Sequence, residues 1–169
     1  MTAANRMNAP ERAKVKSMSC DIAAAAFLFL ASAGPAPHTP AQPASISVAK
    51  EPLYADIVGR AGQLKAQVEI FEKAGSGPAA MDLPQFDVFA AAVTELAALD
   101  LKGHKDLEAR GTDGDLKCIL KGISMDLPKR LDEVRTAKTW AAQSAALQEM
   151  AYLLNDNVEV ITAPPAPPV

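Results

Sequence analysis

Apolar side chains return every three or four residues through most of the chain, and no stretch alternates with period two for long enough to make a strand. The first periodic segment runs from about Pro52 to Ala74. Ile57, Ala61, Leu64, Val68 and Phe71 are spaced 4-3-4-3, which aligns them on one helix face. Pro52 suits a first helical turn, where a missing N–H removes no hydrogen bond, and Gly75-Ser-Gly-Pro78 is a strong stop. The second segment begins near Leu83. Asp82 is placed to cap it, with Gln85 as reciprocal partner and Met81 and Phe86 as a flanking hydrophobic staple. Phe86, Phe89, Val93 and Leu96 set its apolar face, and its end is expected between Lys102 and Ala109.

The third segment follows Gly111-Thr-Asp-Gly114. Leu116, Leu120, Ile123, Leu127, Leu131 and Val134 hold one phase through it. Pro128 lies inside, and Met125-Asp-Leu-Pro128 repeats the tetrapeptide Met81-Asp-Leu-Pro84. A second copy could start a new helix, but the unbroken phase favours one helix kinked at Pro128. A single four-residue match does not make a repeat architecture. The fourth segment runs from about Thr139, a suitable cap, to Val160, with Leu147, Ala151, Leu154, Val158 and Ile161 on its face. Four helices of about 20 residues with short links predict an all-α fold, an antiparallel up-down four-helix bundle over residues 52–162. Seams near a 3.5-residue repeat favour shallow crossing angles.

Proline marks the flanks. Pro35, Pro37, Pro40 and Pro43 crowd a linker over residues 34–51, and Pro164, Pro165, Pro167 and Pro168 crowd a C-terminal tail over residues 163–169. Both are expected to be extended and solvated, a spacer at one end and a helix stop at the other rather than docking peptides. Ahead of the linker, a basic stretch with Arg6, Arg12, Lys14 and Lys16 precedes the apolar run Ile22 to Leu30 and the small-x-small triplet Ala31-Ser32-Ala33. That order is the order of a secretory signal peptide, cleaved after residue 33. The run is about half the ~20 residues of a spanning helix, so no transmembrane span is expected in the mature chain. Cys20 precedes the apolar run, which rules out a lipoprotein site.

Charge narrows the function. The formal net charge is −3, and cleavage after Ala33 takes four basic and two acidic side chains with it, leaving −5. A nucleic-acid partner needs a basic surface and is not expected. Chemistry is sparse. His38 lies in the proline-rich linker, and His104 is expected at a solvated helix end. No Cys-x-x-Cys-His haem motif, no paired Glu-x-x-His motif and no zinc-type spacing occurs. Asp113-Gly-Asp115 is only a fragment of a calcium loop, better placed to meet a helix dipole. The seam position after Leu96 is Asp100. It is expected to turn outward as the helix frays before Gly103; the functional alternative is a buried carboxylate of raised pKa.

These patterns name no catalytic residue, no metal ligand and no cofactor. They point to an exported, non-catalytic bundle in the periplasm or outside the cell that acts through protein–protein contacts. The alternative is a carrier or sensor holding a small apolar ligand between the helices. One interaction surface is suggested by helical phase. At about 100° per residue from Leu116, Cys118, Gly122 and Met125 fall on the side away from the core. Cleavage would leave Cys118 as an odd cysteine, suited to self-association or to an envelope partner.

Overall fold

A computed structural model describes residues 48–112 and 114–163. The expected signal peptide, most of the linker and the proline-rich tail beyond Ala163 lie outside the described residues. The described chain is four helices: α1 (Pro52–Ala74), α2 (Phe86–Arg110), α3 (Gly114–Thr136) and α4 (Trp140–Thr162). They form the all-α four-helix bundle expected from periodicity. The last residues assigned to the linker are not extended. Val48–Lys50 make a 3-10 turn that seats a buried Val48 against α1 and α4.

Each helix touches its two neighbours around a ring, α1 to α2 to α3 to α4 and back to α1, while diagonal helices make no backbone approach. The packing is closest between α2 and α3 and slightest between α1 and α2. Phe71, late in α1, meets Phe89, early in α2, edge to face with centroids 5.2 Å apart. Tyr54, early in α1, reaches Gly103 and Asp106, late in α2. The two helices therefore run antiparallel.

The apolar faces of α1 and α3 are those expected, and every residue named for them is buried. α3 runs unbroken through Pro128, which is exposed. On α4 the buried face is turned relative to expectation. Gln143, Ala146, Leu147, Met150, Leu154, Asn157 and Ile161 are inside, and Ala151 and Val158 are only half-buried. Two polar residues belong to that seam, so the apolar positions alone misplace its centre.

The start of α2 also differs. Asp82 does not cap it. Gln85 is the N-cap, in the left-handed region at φ 55°, without a side-chain hydrogen bond. The cause is tertiary. Gln143 of α4 donates to the Met81 carbonyl at 3.1 Å and accepts from the Met81 N–H at 2.8 Å. Ala80 N–H donates to the Lys138 carbonyl and Trp140 N–H to that of Pro78. These bonds hold residues 78–81 against the α3–α4 turn and delay the helix to Phe86. At the same end a Cβ on Gly75 would collide with the Trp140 ring, so that position is confined to glycine. At the other end of α2, Gly111 closes the helix at φ 66°, and Thr112 N–H reaches back to the Leu107 carbonyl. Thr139 caps α4 as expected, accepting from Ala142 N–H at 3.2 Å.

Candidate functional site

The core holds a polar pair. Asp100 is fully buried, contrary to the expectation that it turns outward. α2 does not fray at Gly103; it continues to Arg110. Gly103 is a packing glycine, and a Cβ there would lie 3.1 Å from Leu120 Cδ1 and 3.3 Å from Tyr54 Cε1. Side chains of α1 and α3 lie close against α2 at this point, and α2 continues past it with Asp100 inside. Across the bundle, on the diagonal helix, Asn157 is equally buried. Its Nδ2 donates to Asp100 Oδ2 at 3.0 Å. Asp100 Oδ1 and Asn157 Oδ1 are both buried with no hydrogen-bond partner. Burial pushes the Asp100 carboxyl up to about 7, against a smaller lowering by the Asn157 hydrogen bond. Asn157 went unnoticed in the sequence, although it continues the 4-3 steps of Leu147, Met150 and Leu154 to Ile161.

Two further polar features have structural work. His104 is buried rather than at a solvated helix end, and its Nδ1–H donates to the Lys117 carbonyl at 2.9 Å. The Tyr54 hydroxyl is shared between Asp106 Oδ2 at 2.8 Å and the Gly103 carbonyl at 3.2 Å. Arg110 then joins Asp106 to Glu51. Burial and the Asp106 carboxylate push the Tyr54 phenol upward, so it stays protonated. This chain of contacts fastens the start of α1 to the end of α2.

On the surface, a groove of about 220 Å³ runs between α1 and α2. Leu64 and Phe89 lie in it beside Gln63, Gln67 and Gln85, and Val88 stands at its edge with 68% of its area exposed. Ile70, on the helical face of Gln63, is 56% exposed. A second, shallower groove of about 390 Å³ lies between α3 and α4, over Ala137, Ala142 and Ala145. Both open to solvent, and neither is lined by Asp100 or Asn157.

The α3 stripe is placed outside the core. Met125 is 55% exposed, and Cys118 and Gly122 are half-buried. Cys118 is not a free thiol in the full-length chain; the expected odd cysteine belongs to the chain cleaved after residue 33, which would lack Cys20. No group of three or more His, Cys, Asp or Glu able to hold a metal occurs among the described residues. No described helix is long and apolar enough to cross a membrane. Comparison with protein-family models, with curated proteins and with solved structures found no match.

Proposed function

We propose that the chain is an exported, non-catalytic helical bundle that works through protein–protein contacts, with the α1–α2 groove as its docking face. The observation that carries this reading is Val88, a large apolar side chain left in solvent beside a groove with apolar Leu64 and Phe89 in its wall. It lies where two helices of the ring touch least. Contiguous exposed apolar patches mark contact surfaces, and Val88 over the groove wall of Leu64 and Phe89 supplies the apolar part of one. The glutamines lining it supply amide donors and acceptors for the edge of a partner, as interface rims do. The occupant that fits is a partner helix with apolar side chains at every third or fourth position, laid along the groove. Export rests on the basic stretch, the apolar run and the Ala31-Ser32-Ala33 triplet. The stripe of Cys118, Gly122 and Met125 is a second candidate surface, with Met125 as its exposed anchor and no dependence on a free thiol.

Cross-linking capture from an envelope extract of the native host tests the reading, with the wild type beside Val88→Glu. The variant keeps the wild-type melting temperature, since Val88 is exposed. A protein retained by the wild type and lost by Val88→Glu supports the groove; equal retention by both overturns it. Native mass spectrometry of the same preparation tests the alternative. A stoichiometric small apolar molecule would make the bundle a carrier.

A further inference from the structure

The Asp100–Asn157 pair leaves two unpartnered atoms, and both are oxygens. Asn157 Oδ1 can only accept a hydrogen bond, and an ionised carboxylate can only accept as well. Two buried acceptors left without donors are an unfavourable arrangement. One proton on Asp100 Oδ1 resolves both at once. A protonated Asp100 would carry an O–H to donate to Asn157 Oδ1, beside the bond that Asn157 Nδ2 donates to Asp100 Oδ2 at 3.0 Å. Together they would make a cyclic acid–amide pair with two hydrogen bonds. A proton needs no volume of its own. A water in its place needs a cavity and two to four polar partners, and neither groove reaches these residues.

We propose that Asp100 is held in its neutral, protonated form, bonded head-on to Asn157, and that loss of this proton to solvent loosens the bundle. The pair is a hydrogen-bonded link between α2 and α4, diagonal helices that make no backbone approach. Ionisation breaks one of its two bonds and leaves a charge in the core.

No compensating charge faces the carboxyl. On α2 the next buried titratable group is His104, with Nδ1 on the Lys117 carbonyl and Nε2 3.9 Å from Glu108 Oε2. α1 contributes Tyr54, whose hydroxyl is held by Asp106 and Gly103. α3 contributes Leu120 and Ile123 to the core, with Lys117 and Lys121 half-buried beside them. α4 contributes Asn157 itself, flanked by half-buried Asp156 and exposed Glu159. Lys50 of the 3-10 turn is exposed. Burial and Asn157 alone act on the Asp100 carboxyl, and the net direction is upward.

The test is carbon-detected NMR titration of side-chain carboxyls in the full-length chain, with urea unfolding of the wild type and Asp100→Asn at pH 5 and pH 8. Asp100 is expected to titrate near 7, well above the exposed aspartates. The wild-type urea midpoint is expected to fall between the two pH values by clearly more than that of Asp100→Asn. That variant replaces the acid with a second amide, and an amide pair closes the same ring without a titrating proton. An Asp100 carboxyl already ionised at pH 5 in the folded chain overturns the proposal, whether a water, a cation or nothing sits beside it. So does an Asp100→Asn variant that loses as much stability as the wild type. If Asp100→Asn does not fold, the wild-type titration decides alone.

Discussion

Replacing the buried pair with apolar side chains of matched total volume, as Asp100→Ala together with Asn157→Leu, separates what the pair costs from what it contributes. The Asp100 carboxyl moves from 3.8 to about 7 on folding. Its folded value is raised, so the unfolded chain releases the proton first as pH rises. The contribution to stability is therefore whole below 3.8, falls through the window from 3.8 to about 7 and is flat above it. At 1.36 kcal/mol per pKa unit the full loss is about 4 kcal/mol, more than half of which falls between pH 5 and pH 8. The double variant carries no titrating group there and lacks this loss. It should be more stable than the wild type at pH 8 and within about 1–2 kcal/mol of it at pH 5, the scale of a nearly volume-conserving core change. Asn157→Leu alone leaves both carboxyl oxygens unpartnered and should cost about 1–3 kcal/mol more than the double variant at either pH. Urea melts followed by far-ultraviolet circular dichroism give all three comparisons. A double variant that weakens between pH 5 and pH 8 as steeply as the wild type would refute the reasoning, because the pH dependence would then belong to other groups.

The remaining expectations are simpler. Leu120→Ala and Leu154→Ala should each cost about 2–5 kcal/mol in denaturant melts, as large-to-small changes at fully buried sites. Lys121→Ala, next to Leu120 in sequence but only half-buried, should cost far less; equal losses would contradict the α3 phase. Gly75→Ala forces the Trp140 ring to move, which Trp140 fluorescence will report as a shifted emission maximum, and an unchanged spectrum would count against that contact. Tyr54→Phe removes a shared hydroxyl bond and should cost about 0.5–1.5 kcal/mol. Mass spectrometry of the exported protein should find Gly34 at its N-terminus, and an intact Met1 in a cytosolic fraction would end the export reading.

How much was legible beforehand varied from helix to helix. α3 carries leucine, isoleucine or valine at every buried position, so its face and its continuity across Pro128 followed from spacing alone. α4 hides two seam residues, Gln143 and Asn157, behind polar side chains, and a reading of apolar positions settles on Ala151 and Val158 instead. Asp100 was misread for the same reason. Its position in the heptad places it inside, but its charge argued for solvent until a partner 57 residues away came into view. Gly103 resembled a helix stop and is a contact point for α1 and α3. Asp82 had every local mark of a cap and lost that role to Gln85, because Gln143, 62 residues away, holds the Met81 backbone and delays the helix. Local signals failed where a distant polar partner decided the geometry.

The uneven ring has a kinetic consequence. α1 packs chiefly against α4, the helix most remote from it in sequence, and only lightly against α2, its neighbour along the chain. Lys65 of α1 and Asn155 of α4, bonded at 2.9 Å, are 90 residues apart. Such a contact closes a long loop, and the entropy of closure must be met before the contact returns anything. The α2–α3 hairpin, joined by the short turn at Gly111 and packed most closely, carries no such burden. Folding should therefore spread outward from α2 and α3, with α1 waiting until α4 has docked. Core substitutions in α1, such as Val68→Ala, will then speed unfolding while leaving the refolding rate almost unchanged. Removal of α4 will set α1 loose as well, although the two share no turn.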